Sequence, residues 1–323
     1  MLLPLLTLLA TAEKPLVVLP TPLTQLKPLA MAPAAGKNIV ATMEDMSFRI
    51  IDGTTGHTVR VVGKTPQPAY AIAWSPKGNQ IATGDESGRV ILWSTDGKKL
   101  REYRVHIRGV ERLSYSSTGN LLASTGKDDV IDVYDLRTTK PKEAQKIAGA
   151  GANFYGGVFR PGTNTILTGT LAEGARLYSF GSPDKKASFS GHQGLGVLDV
   201  DSGPNGLMAS AGKDNKVILW NPDGSPRATL SGNQDWVCCV RFSPNGQYVA
   251  TSSTDHFVRV FDIKGNKVAE LDQQCSIGSP LCWTPDGTSL LTVAVDDHLQ
   301  VNKVDPAQGY TAQTGKTKKR RRG

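Results

Sequence analysis

An all-β architecture is what this chain of 323 residues predicts, and three observations predict it. A short run of β-forming residues, ending in a large side chain before a polar turn, recurs seven times. Its last residues are Ile51, Trp93, Tyr134, Tyr178, Trp220, Phe261 and Asn302, at successive gaps of 42, 41, 44, 42, 41 and 41 residues. The runs, such as Val90-Ile91-Leu92-Trp93 and Val258-Arg259-Val260-Phe261, are too short for helices and are closely flanked by Gly, Pro, Asn and Asp. The 34 glycines and 19 prolines supply the many turns such a protein needs. A period of about 40–45 residues suits a four-stranded antiparallel blade, so the chain predicts a seven-bladed β-propeller over residues 13–308.

Each unit has the same internal order. An innermost strand leads into a Ser/Thr-Pro-x-Gly turn, as in Ser75-Pro76-Lys77-Gly78, Ser243-Pro244-Asn245-Gly246 and Thr284-Pro285-Asp286-Gly287. Proline pre-sets φ at the first corner, and glycine takes the positive φ of the reversal. A second strand follows, then a polar hairpin, a third strand and a fourth. The seventh repeat runs out after its third strand, near Lys303-Val304-Asp305, while the apolar segment Pro15–Leu19 precedes the first repeat. Leu16–Leu19 is therefore expected to complete the last blade and remove an open sheet edge.

The ends differ from the body. Met1–Ala12 is an apolar, signal-peptide-like run closing on Ala10-Thr11-Ala12, although no Lys or Arg precedes it. Export to a periplasmic or extracellular location is favoured slightly over a cytoplasmic one. The net charge is +8, and Lys316, Lys318, Lys319, Arg320, Arg321 and Arg322 carry six of those charges. Residues 309–323 thus form a basic tail, expected to be disordered. It is either a solubilising arm or a site for an anionic partner: nucleic acid, acidic lipid or acidic protein. No stretch approaches the roughly 18 apolar residues of a membrane-spanning helix. The four cysteines, Cys238, Cys239, Cys275 and Cys282, form no CxxC pair, which argues for buried free thiols rather than zinc.

The chain resembles the WD-repeat propeller family over roughly residues 15 to 305. The fifth blade carries the resemblance best: Gly191-His192 precede its inner strand, Ser210 ends its second, Asp214 lies in the hairpin and Trp220 closes the third. The resemblance implies a buried hydrogen-bonded chain linking Trp220, Ser210, His192 and Asp214, a packing device rather than a catalytic triad. Asp45, Asp128, Asp255 and Asp296 repeat the hairpin aspartate; Ser87 and Ala172 replace it in blades two and four. The closing dipeptide is degenerate: Tyr134-Asp135 and Phe261-Asp262 fit, while Trp93-Ser94, Trp220-Asn221 and Asn302-Lys303 depart.

No catalytic, cofactor or metal signature accompanies this pattern. The five histidines show no HExxH and no ligand spacing with carboxylates. The glycines at 149, 151, 156 and 157 join two strands, with no helix start to receive a phosphate. Asp52-Gly53-Thr54-Thr55-Gly56 resembles a turn of quinoprotein propellers but occurs once. What remains is surface, and the resemblance places a partner site on the rim around the central channel. Counting back from the Pro turns gives Lys27, Tyr70, Glu111 and Tyr155 at the inner-strand position. Lys127, Leu171 and Lys213 stand in the hairpins, and Trp236 at a strand entry. Aromatic anchors with charged neighbours bury much area at little rotamer cost. The expectation is a monomeric, non-catalytic scaffold presenting this rim to a protein or peptide. The alternatives are an enzyme or small-ligand binder at the channel mouth, and anion binding through the tail.

Overall fold

The seven repeats fold into seven antiparallel sheets around one axis, forming a seven-bladed β-propeller. The computed structural model describes residues 27–138, 142–149, 154–171, 174–192, 196–272, 280–293 and 298–304. Six sheets have four strands in chain order; the seventh has three described strands, Cys282–Trp283, Ser289–Val293 and Leu299–Lys303. The innermost strands of the other blades are Pro28–Pro33, Ala69–Trp74, Val110–Tyr115, Phe154–Phe159, Val197–Ser202 and Val237–Phe242. Each packs beside the next, and Cys282–Trp283 packs beside Pro28–Pro33, so the inner strands close the ring. Residues 1–12, the proposed closing strand Leu16–Leu19 and the 309–323 tail lie outside the described residues.

Alternation of side chains holds neighbouring blades together. Successive residues of a strand point to opposite faces, and in a propeller both faces are covered. In blade one Val40, Phe48 and Val62 pack against Ile72, Ile81 and Ile91 of blade two. Ile39, Ala41 and Ile51, on the other face, pack against Leu291, Leu299 and Val301 of blade seven. Full burial of such a side chain contributes about 1.5–3 kcal/mol, so the junction between the first and last blades is as well founded as the others. The expected Pro turns form as described: the N–H of Gly78, Gly246 and Gly287 donates to the carbonyl of Ser75, Ser243 and Thr284, each at 2.8 Å. Those glycines have φ of 72°, 67° and 69°.

One recurrent irregularity positions the residues of the rim. Where the innermost strand meets the second, the register skips a residue. Ala69 pairs with Asp85 and Ala71 with Gly84, leaving Tyr70 unpaired between them. The same skip isolates Leu29 in blade one, Glu111 in blade three, Leu198 in blade five and Cys238 in blade six. A bulge of this kind re-aims a side chain out of the layer it would otherwise join. Here it turns those residues toward the channel mouth.

Two sequence assignments shift accordingly. Pro33 is not a turn residue: it ends the strand paired with Ile39, and the turn follows, with Ala34 N donating to Asn38 O at 3.0 Å. Leu29, not Lys27, is therefore blade one's counterpart of Tyr70. In blade four the skip falls between Tyr155 and Val158, so Tyr155 stays paired with Gly169. Gly156, with φ of 63°, turns toward the mouth instead.

Candidate functional site

The bulged residues converge on one end of the channel. Leu29, Tyr70, Glu111, Gly156, Leu198 and Cys238 line a cavity of ≈ 250 Å³ at the end where the inner strands begin, the entry mouth. Lys127, from the third blade's hairpin, completes the wall. Its ammonium lies 3.5 Å from the Glu111 carboxylate and 6.0 Å from the centre of the Tyr70 ring. Burial pushes the Glu111 carboxyl above its ordinary pKa, with Lys127 opposing the shift.

A second aromatic–lysine pair stands at the sixth blade. Trp236 caps the entry to Val237–Phe242, where its carbonyl accepts from Thr254 N at 2.9 Å. Lys213, from the fifth blade's hairpin, holds its ammonium 4.6 Å from the Trp236 ring centre, within cation–π range. Tyr70 is 46% exposed and Trp236 42%, unusual for aromatics in a protein whose other rings are mostly buried. The other rim candidates are less open. Lys27 is half-buried, with its N–H donating to Glu44 Oε1 at 3.2 Å. Leu171 is half-buried against Gly196, and Tyr155 is half-buried in its strand. Ile107, 89% exposed on the loop before blade three, is an apolar rim residue that the repeat pattern did not single out.

Farther in, a charged network crosses the channel. Asp199 on blade five accepts from Arg112 of blade three, Nη1 to Oδ1 at 3.4 Å, and from Arg241 of blade six. It also accepts from Val240 N at 3.1 Å. Asp201 accepts from Phe242 N at 2.8 Å, and its Oδ1 lies 3.9 Å from Arg112 Nη2. Burial works to raise the Asp199 pKa, but the two guanidiniums and the Val240 N–H outweigh it and hold the group low. At Asp201 burial prevails and the carboxyl rises. Burial also pushes the Cys239 and Cys282 thiols up to about 12, which leaves them protonated and unreactive. The sequence signal for this network is four charged residues on inner strands that otherwise run apolar.

The fifth-blade constellation comes together as a closed relay. His192 shares one contact with Asp214 Oδ1 and one with Ser210 Oγ, each at 2.8 Å, and Trp220 Nε1 donates to Ser210 Oγ at 2.9 Å. The His192 side chain is 1% exposed, so no substrate reaches it. Blade three repeats the relay with His106, Asp128 and Ser124, at 2.8 and 2.9 Å. Spacing could have found it, because His106 precedes Asp128 by 22 residues, as His192 precedes Asp214. In blade seven Asn302 stands in for the aromatic and donates to Thr292 Oγ1 at 3.1 Å. Asp296, Ala172 and the tail residues Lys316 to Arg322 lie outside the described residues. Among the described residues no group of three or more His, Cys, Asp or Glu is placed to hold a metal ion.

A seven-bladed ring with a repeated His/Ser/Asp relay, extended to Trp220 in blade five, defines a class, the WD-type propeller. Comparison with known proteins agrees. The WD domain, G-beta repeat family matches residues 53–94, 97–135, 183–221 and 224–262, and the chain belongs to the WD-repeat β-propeller family. It is similar to the guanine nucleotide-binding protein subunit beta of Nicotiana tabacum, 25% identical over 228 residues, covering 65% of this chain and 58% of that protein. It is also similar to the nuclear distribution protein nudF of Aspergillus niger, 22% identical over 296 residues, covering 83% of this chain and 66% of that protein. The chain thus spans between 58% and 66% of the length of these two relatives. The solved structure of U3-55K shares the fold, with a TM-score of 0.76 at 16% identity, over 87% of this chain and 96% of that one.

Proposed function

We propose that the chain is a non-catalytic interaction scaffold that holds a protein or peptide partner on its entry mouth. The observation that carries this is the pair of open aromatics, Tyr70 and Trp236, each attended by a lysine from a neighbouring blade's hairpin. A rigid ring with a few exposed aromatic anchors is suited to binding, since little side-chain entropy is lost on contact. Relatives named as subunits of a guanine nucleotide-binding protein support membership of an assembly. A non-catalytic role is supported by the burial of the His/Ser/Asp groupings of blades three and five.

The test begins with a partner captured on the immobilised chain and its affinity measured by calorimetry. Replacing Tyr70 and Trp236 together with alanine should weaken binding by about 2 kcal/mol or more, roughly thirtyfold. Leu100→Ala, on an exposed outer strand, should leave affinity unchanged. A partner that binds the double variant as tightly as the parent removes the entry mouth from consideration.

A further inference from the structure

The channel has a second end, and its chemistry differs from the first. Where the inner strands finish, a cavity of ≈ 470 Å³ opens among the blade turns, nearly twice the volume of the entry chamber. Prolines ring its mouth: Pro33, Pro76, Pro161, Pro204, Pro244 and Pro285. Its walls carry Trp74, Phe159, Phe242 and Trp283. Cavities of roughly 300–1,000 Å³ with apolar walls and a few convergent polar groups are the usual form of a small-molecule site. Serines such as Ser202 and Ser243 add hydroxyls to the lining, and charge is confined to three side chains. Arg112, Arg241 and Asp201 are the charged residues lining this chamber; the two arginines stand between it and the entry chamber and line both, whereas Asp199 lines the entry chamber alone.

The arginines are incompletely used. Among the described residues the Arg112 side chain makes one hydrogen bond, the 3.4 Å contact from Nη1 to Asp199, and its Nη2 remains 3.9 Å from Asp201. Arg241 commits Nη1 to Asp199 and to the Val240 carbonyl. Its Nε and Nη2 donate to no described residue. A guanidinium offers five N–H donors in a fixed fork and no acceptor, so the inner end of the chamber presents a surplus of cationic donors. The like charges of Arg112 and Arg241 also repel each other, one of the two influences that lower the Arg112 pKa, after burial. An anionic acceptor between them would relieve that repulsion, and a planar carboxylate fits guanidinium forks better than a point charge does.

We propose that the turn-side chamber binds a small monocarboxylic acid, with its aromatic or aliphatic body between the tryptophan and phenylalanine walls and its carboxylate on Arg112 and Arg241. The body of the ligand would lie on the turn side, away from Tyr70 and Lys127 at the other mouth, although Arg112 and Arg241 line both chambers.

Trp74 and Trp283 report on the chamber directly, so the test is a fluorescence titration with calorimetry alongside. The probes are 4-phenylbutyrate, 4-phenylbutan-1-ol and 4-phenylbutylamine, which share a body and differ in the head group. The acid should bind saturably and at least ~10-fold more tightly than the alcohol, with the amine weakest. Arg112→Gln should reduce the acid's advantage to about threefold or less while leaving the alcohol's affinity in place. Ala32→Phe, which fills the chamber from a wall away from the charged network, should abolish binding of both. If Arg112→Gln does not fold, the three probes on the parent and on Ala32→Phe decide alone. Absence of saturable binding, an acid no tighter than its alcohol, or full acid affinity in Ala32→Phe overturns the proposal.

Discussion

Blades five and six are neighbours that fill one equivalent slot with opposite chemistry. In blade five the slot holds a histidine relay ending on an indole: Asp214, His192, Ser210 and Trp220. The strand register places Thr251 where Ser210 stands and Phe261 where Trp220 stands. Asn233 takes the place of His192, 22 residues before Asp255. The Phe261 ring has no N–H, so no donor remains at the far end of the relay for the hydroxyl to accept from. Arg259 enters instead, at the position of Ile218. Its Nη1 donates to the two Asp255 oxygens at 3.0 and 2.7 Å and to Asn233 Oδ1 at 3.1 Å, and its Nε donates to Glu270 at 2.9 Å. The slot therefore demands that buried polar atoms be satisfied, not that particular residues do it. Blade one follows blade six, with Arg49 on Asp45 at 3.1 Å.

The two solutions should fail differently. Arg259 is 3% exposed on its side chain, and Asp255 7%. Arg259→Ala leaves a buried carboxylate without its cation, a change that costs about 3–5 kcal/mol. The urea midpoint of the variant should fall accordingly, with Asp255→Asn introduced into it recovering part of the loss. A loss below about 1 kcal/mol, the scale of an exposed pair, would mean that blade six does not depend on its charge in this way.

Ser210→Ala makes the corresponding cut in the histidine relay. It removes the partner of both His192 Nε2 and Trp220 Nε1, two buried groups. The cost should be about 1–3 kcal/mol, the penalty for leaving a buried polar group unmade, and thus smaller than for Arg259. Ser210→Thr keeps the hydroxyl and should retain most of the stability. If the serine variant proved the more damaging of the two, the contrast between blades five and six would be reversed.

The same contrast explains what could be read from the sequence. The period was visible because every blade needs a large residue at the end of its third strand, whether Trp220, Phe261 or Asn302. The fifth-blade relay was visible because its four residues carry distinctive side chains at fixed spacing. Blade six hid its solution: Asp255 was recognisable, yet its partner Arg259 lies within a run that otherwise spells an apolar strand. The rim was legible only in part. Counting from the Pro turns singled out Tyr70 and Glu111, whose side chains line the entry chamber, but no count reveals where a bulge falls. A skip displaced onto Gly156 kept Tyr155 in its strand, and a proline outside any turn, Pro33, misplaced Lys27. The cross-channel ion network depends on pairing between blades three, five and six, which no local spacing encodes.

The blade-three copy of the relay sharpens the comparison through pH, with a smaller effect expected. The His106 side chain is fully buried, and desolvation lowers its pKa despite the opposing pull of Asp128. In the unfolded chain the imidazole titrates near 6.5, so below that pH the unfolded state takes up a proton that the folded state resists. Proton uptake by the unfolded state makes stability fall with falling pH. The contribution is complete above about pH 6.5 and is lost as pH drops through the lower folded value. Melting temperatures measured from pH 8 to pH 5 should therefore decline for the parent and decline less steeply for His106→Gln. Carboxylates near their ordinary range, around 4, begin to titrate only at the lower end of this interval. A parent that declines less steeply than His106→Gln would show that His106 enters the folded state already charged, and that blade three, like blade six, fills its slot with an ion pair.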